Sequence, residues 1–365
     1  MAYDFFPKSK KEINDKLKNK TQKYRDNCSK VYEYLKSKYP SIEAPINIDT
    51  TKGENTAINV VRAIKGSLTE SQILLQAKVQ QPFKIKFGDG SSGNRGAQNR
   101  GNAFEYEFVN ALIKWREGNI DGIERTVLET IEGLDAKYGI GDGDPSNFKV
   151  AAEGAANNRR PLTFTNGIKV SNPNGSGTDV GKLVTDVTVN WKNKLGIDKT
   201  LYLSLKFEST VTFFNVGIKT ILTKSEIQSG TITNKDGLAL LELFKIDPEK
   251  FCDIFNGTMK QGSKEVVIPN KTGLKTLLET GIGHNYHVIH KMPGKIKSYE
   301  VNEQYMRTAA SPTSQEIYYG GKGGMGKRID IVVKSSTYEF KLNIRDTQGT
   351  DGYPTRMMCD FKYLH

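Results

Sequence analysis

Residues 183–208, LVTDVTVNWKNKLGIDKTLYLSLKFE, decide how the chain is read. In the second half Leu201, Leu203, Leu205 and Phe207 alternate with Tyr202, Ser204, Lys206 and Glu208, the two-residue period of a strand buried on one face. In the first half Leu183, Val187, Val189 and Trp191 keep the apolar parity, while Asp186 shares its face with Thr188 and Asn190. Asn193, Gly196 and Asp198 mark the turn between the two strands.

An antiparallel hairpin that buries both apolar faces together sets Asp186 opposite Ser204 or Lys206. A carboxylate and an ammonium then share one wet surface. A Mg²⁺-dependent phosphodiesterase needs this arrangement: the Asp offers hard oxygen to the ion, the strand backbone a carbonyl, and the Lys orients or activates the attacking water. An amphipathic hairpin whose Asp and Lys form a plain surface ion pair has the same pattern, so the hairpin alone leaves both readings open.

A second feature lies upstream. The helix expected over Ala103 to Trp115 buries Phe104, Phe108, Ala111, Leu112 and Trp115 as a stripe. Glu105 falls at the edge of that stripe, and Glu107 points away. An acid aimed toward a core interface needs a partner or a cation.

Together these residues resemble the PD-(D/E)XK nuclease superfamily. Asp186, Ser204 and Lys206 follow the Asp…x-Lys pattern, with Thr185 in place of the usual Pro and Ser204 where a second carboxylate is usual. Gly101, Phe104 and Glu105 match the G-x-x-F-E pattern of the helix before the Asp strand, and the order Glu105, Asp186, Lys206 is that of the family. The resemblance covers residues 88–257. It implies an α/β (α+β) restriction-endonuclease-like core, a mixed sheet flanked by helices, and Mg²⁺, with Mn²⁺ as a substitute, held by Asp186 and Glu105. Lys206 would serve the attacking water, and Ser204 and Glu208 would be supporting or replacement ligands. The implied activity is endonucleolytic hydrolysis of DNA phosphodiester bonds, restriction-enzyme-like or in phage DNA processing, and a homodimer is compatible with it. The alternative is a non-catalytic DNA-binding or phage structural protein that keeps the fold and has lost activity at Ser204.

Composition agrees with a polyanionic partner. Lys and Arg number 53 against 41 acidic residues, a net charge of +12 in 365 residues. No apolar run reaches the length of a bilayer span, the start MAYDFFPKSKKEINDK has no signal-like apolar segment, and three scattered cysteines suit a reducing compartment. A cytoplasmic location is expected.

Three regions are expected along the chain: a basic helical segment over 1–87, the nuclease-like core over 88–257, and a β-rich region over 258–365 that recognises DNA or extends the sheet. In the first, one helix or a helix pair is expected over 8–39, and helices over Ala57–Ile64 and Thr69–Lys78, the last with Thr69 as N-cap. The run GDGSSGNRGAQNRGN (88–102) reads as a loop presenting Arg95 and Arg100. In GAANNRRPLTF, Arg159 and Arg160 beside Asn157 and Asn158 form a candidate phosphate clamp.

Three further motifs compete with or surround this site. KGGMGKR (322–328) resembles a phosphate-binding loop, but Arg328 replaces the metal-holding hydroxyl and a strand follows. It reads as a glycine-rich hairpin. His284, His287 and His290 have a spacing that suits packing better than metal ligation. The rival active site is Asp330 with Glu339 and Lys341, the better match by residue type and the worse by placement; its expected role is a sheet extension whose Lys341, Arg345 and Arg356 contact DNA or face water.

Overall fold

In the computed structural model the chain is described except for residues 1–3, 62–63, 65–67, 81, 88–99, 153–159, 173–176, 208–210, 260–261, 322–323, 325, 348, 350 and 365, and the side chains of 100–103 and 106. Arg95, Arg159, Glu208 and the side chain of Arg100 lie outside the described residues.

In chain order the elements are β1 (Asp4–Phe5), α1 (Lys10–Lys16), α2 (Gln22–Lys38), β2 (Ile46–Asp49), β3 (Ile58–Val60), α3 (Glu70–Gln76), β4 (Ile85–Phe87), α4 (Arg100–Arg116) and α5 (Arg125–Tyr138). Then come β5 (Lys149–Ala152), β6 (Leu162–Thr163), β7 (Lys169–Val170), α6 (Gly181–Val184), β8 (Val187–Lys192), β9 (Asp198–Phe207), β10 (Val211–Gly217), α7 (Lys224–Ser229), α8 (Lys235–Leu243) and α9 (Pro248–Asn256). The chain closes with β11 (Ser263–Val267), α10 (Lys271–Ile282), β12 (Tyr286–Met292), β13 (Lys295–Val301), α11 (Glu303–Ala309), β14 (Ser314–Tyr319), β15 (Arg328–Lys334), β16 (Tyr338–Arg345) and β17 (Arg356–Tyr363). The fold is α/β with mixed sheets flanked by helices. Among the described residues no helix is long and apolar enough to cross a membrane.

The chain packs into two interleaved units. The first comprises Met1–Asn157, Val184–Phe207 and His287–Tyr299; the second comprises Asn158–Leu183, Glu208–Tyr286 and Glu300–His365. Neither is a continuous run, whereas the regions expected over 1–87, 88–257 and 258–365 divide the chain serially.

The first unit carries a five-stranded sheet ordered β13-β12-β9-β8-β5, in which β8 and β9 pair antiparallel and β9 and β12 parallel. Its buried core includes Phe104, Phe108 and Leu112 of α4 together with Val187, Val189, Leu203 and Leu205 of the hairpin, so the apolar parity of the hairpin and the stripe of α4 are buried as their spacing requires. Thr69 caps α3 and completes a capping box with Gln72. The segment 8–39 folds as the helix pair α1 and α2. Residues 57–64, expected as a helix, instead contain strand β3, paired with β2 and β4 in a four-stranded sheet with β1. Ile58 and Val60 are buried while Asn59 is not, a period-two pattern too short to be told from a helical turn by sequence.

The second unit carries a six-stranded antiparallel sheet ordered β10-β17-β16-β15-β14-β11. β14 and β15 pair antiparallel; of the glycine-rich run expected as a hairpin between them, residues 322, 323 and 325 lie outside the described residues.

Candidate active site

The hairpin register pairs Val187 with Leu203, so Asp186, one residue before β8, stands across from Ser204. Thr185 sets this entry: its hydroxyl donates to the Val187 carbonyl at 2.8 Å and lies 3.3 Å from that of Leu203. The Asp186 N–H donates to the Leu203 carbonyl at 2.9 Å. The backbone is thereby held as a strand would hold it, and the carboxylate is turned forward along β9.

That carboxylate uses one oxygen. Asp186 Oδ2 accepts from the Leu205 N–H at 2.7 Å and from the Ser204 hydroxyl at 3.3 Å, and Lys206 Nζ lies 3.9 Å from it. Oδ1 accepts no hydrogen bond among the described residues. Burial pushes the Asp186 carboxyl above the ordinary aspartate range, and Lys206, the Leu205 N–H and the Ser204 hydroxyl pull against that rise. Ser204 is 1% exposed, and the side chains of Asp186 and Lys206 are 22% and 19% exposed. The result is a mostly enclosed acid–base pair with one carboxylate oxygen uncommitted.

Helix α4 packs on β9 through Phe104 and Phe207, ring centroids 6.1 Å apart. Glu105, the next residue, is half-buried. Glu107, expected to point away, is exposed and pairs with Lys291 at 3.1 Å. Lys291 also pairs with Glu124 at 2.5 Å and lies 5.4 Å from the centre of the Phe104 ring.

Among the described residues no three His, Cys, Asp or Glu side chains gather as a metal-holding group, so a cation at Asp186 would have at most two such ligands among them. The donors present, a carboxylate and a hydroxyl, are hard oxygens, and the three cysteines are buried and free. This donor set fits Mg²⁺ or Mn²⁺, which keep several waters and take few protein ligands, and does not fit a thiolate zinc site.

The histidine spacing predicts packing residues. His287 is one, bonded to the Tyr138 hydroxyl at 3.0 Å and to the Ser298 hydroxyl at 2.8 Å. His290 is different in place: it is the β12 partner of Lys206 in the parallel register and is 2% exposed. Cross-strand partners share a face, so an imidazole stands beside the candidate lysine. Only pairing between strands about 80 residues apart in sequence puts it there.

The remaining candidates separate. Arg160 is buried, and its guanidinium donates to the Gly281 carbonyl at 2.8 Å, to the Thr280 carbonyl and to Asn172 Oδ1 at 3.0 Å. Three of its five N–H donors are engaged, two of them on the last turn of α10, and with the side chain 7% exposed it is not presented as a phosphate clamp. In the rival motif Asp330 pairs across the sheet with Asn343, while Glu339 pairs with Lys334. The two acids therefore stand four residues apart along the strands, about 13 Å. Asp330, fully buried, is 2.5 Å from Arg328 and 3.7 Å from Lys341, whereas Glu339 pairs with Lys362 at 2.9 Å. This motif is not assembled around one point. Lys341 and Arg345 lie on the same sheet face as Asp330.

No protein-family model matches the chain, and no curated protein matches it. Among solved structures it is similar to the restriction endonuclease MspI in complex with its cognate DNA, with a TM-score of 0.31 and 11% identity over 71% of this chain and 88% of that one. A likeness that loose carries no functional weight.

Proposed function

We propose that the protein is a Mg²⁺-dependent DNA endonuclease with its centre at Asp186, Ser204 and Lys206, and with Glu105 as a further metal ligand. The observation that supports this most is the division of labour within one carboxylate: Oδ2 is pinned by Leu205, Ser204 and Lys206, and Oδ1 is left for a cation. An enclosed acid that is costly to ionise gains most from a bound divalent ion.

When bound, the ion would polarise the scissile phosphate and offset charge developing on it. Asp186 would hold it, with Ser204 keeping Asp186 oriented, and Glu105 and Glu208 are the proposed further acids. Lys206 would orient the attacking water and hold its proton-transfer path. The net charge of +12 supports a polyanionic substrate, and Lys341 and Arg345 are proposed to contact it. A homodimer is compatible with this proposal, as is a cytoplasmic location.

A second reading, a DNA-binding protein that does not cleave, is favoured by the hydroxyl of Ser204 in place of a second carboxylate. Digesting a mixed DNA substrate with and without chelator and sequencing the ends separates the two. Chelator-sensitive ends with defined chemistry support the nuclease, and intact DNA under every divalent ion supports the second reading.

A further inference from the structure

Three arginines stand side by side at one end of the six-stranded sheet. Arg328 begins β15, Arg345 ends β16 and Arg356 begins β17, and the registers pair Arg328 with Arg345 and Arg345 with Arg356. Cross-strand partners share a face with Cβ atoms about 5 Å apart, and like charges so placed repel. The protein answers this repulsion only in part. Arg328 has an ion pair with Asp330. Arg345 has the Met358 thioether at 3.7 Å, a weak acceptor. Arg356 has no hydrogen bond or ion pair among the described residues, and the Nε–H groups of Arg328 and Arg345 are buried without an acceptor among them.

The β10 flank of the row is open, and a Cβ on Gly217 there would meet no atom within 4 Å. Gly217 pairs with Arg356 on β10, and the Gly320 N–H donates to the Arg328 carbonyl at 2.9 Å. Glycine at the β10 end lets a bulky ligand approach Arg356 and Arg345 without meeting a side chain there, while the Arg328 end is closed by Gly320 packed on Gly324 and Gly262. Lys327, next to Arg328, lies over the Tyr353 ring, 5.5 Å from its centre; Lys224, over the same ring at 5.2 Å, is paired with Asp351 at 3.0 Å.

We propose that this row is a binding site for the phosphates of a DNA backbone, with Arg345 and Arg356 as its principal donors and Lys327 beside them. Guanidinium forks match phosphate oxygens in pairs, and a sugar–phosphate chain has the repeating charge that a linear row of cations requires. The choice of ligand rests on the proposed function but does not depend on cleavage, so the two fail separately.

The test is DNA affinity with chelator present, measured against salt for the full-length protein, its Arg345→Ala/Arg356→Ala variant and Lys206→Ala. Arg328 is kept, because removing it would strand the buried Asp330. The double variant is expected to bind at least tenfold more weakly, with the slope of log affinity against log salt reduced by about two, close to 0.9 per lost phosphate contact. Lys206→Ala is expected to keep the wild-type slope. A folded double variant with unchanged affinity and slope overturns the proposal. So does a variant that loses only thermal stabilisation by inorganic phosphate, which would make the row a free-phosphate site. Should the double variant not fold, phenylglyoxal labelling of the wild-type protein decides: DNA is expected to protect Arg345 and Arg356, and equal labelling with and without DNA overturns the proposal.

Discussion

Asp186 stands one step before the paired part of β8, and its Oδ2 takes the Leu205 N–H at 2.7 Å. A backbone ladder bond is thus continued by a side chain. The same carboxylate therefore has a structural duty on one oxygen and room for chemistry on the other, which lets the two duties be separated by substitution.

Asp186→Asn keeps an acceptor for Leu205 and removes the charge. Because the native carboxyl titrates above its unfolded value, the cost of ionising it is absent below the unfolded pKa and complete above the folded one. The stability difference between Asp186→Asn and wild type is therefore expected to widen in favour of the variant as pH rises from about 4 through the folded value. Urea unfolding across that range measures it, and a pH-independent difference contradicts the shift.

Activity is expected to show the same raised carboxyl. The acidic limb of the pH–rate profile should lie above the ordinary aspartate range at low Mg²⁺ and move to lower pH as Mg²⁺ is raised, since proton and ion compete for Asp186. A limb that ignores Mg²⁺ concentration points to a different titrating group.

Asp330→Ala tests the rival motif. Removing a fully buried carboxylate from between Arg328 and Lys341 should cost about 3–5 kcal/mol, whereas Glu339→Ala, among partly exposed lysines, should cost under about 1 kcal/mol. Cleavage per folded molecule is expected to survive both. Loss of cleavage in a folded Glu339→Ala protein would move the centre to β16.

Arg160→Ala should destabilise the protein by about 1–3 kcal/mol, because buried carbonyls at the end of α10 lose their donor. At a temperature where the variant is folded, DNA affinity should match wild type. Denaturant melts paired with a binding isotherm check stability and affinity together.

How far the sequence can be read follows from the range of each interaction. The facing of Asp186 with Ser204 or Lys206 is legible because alternation over two neighbouring strands leaves few registers, and the pairing of Val187 with Leu203 selects Ser204. The stripe on α4 is legible because one helix period defines it. Helix α10 is not, since Gly273 and Gly281 interrupt its pattern. Close packing explains both: a Cβ on Gly281 would lie 2.2 Å from the Phe214 ring, and one on Gly273 2.6 Å from Leu243. Arg160 bonds residues 120 and 121 positions away, and neither His290 beside Lys206 nor the arginine row can be seen without strand pairing. Local periodicity thus carries the centre of the candidate site, and long-range register carries its surroundings.

The most direct measurement is nicking of supercoiled plasmid by purified wild-type protein and Lys206→Ala, each with Mg²⁺ and with chelator, alongside DNA affinity in chelator. The expected result is nicking by wild type with Mg²⁺ only, a loss of about 10²-fold or more in Lys206→Ala, and equal DNA affinity for both. Equal nicking by the two proteins, or nicking that persists in chelator, would contradict a metal-dependent centre at Asp186 and Lys206.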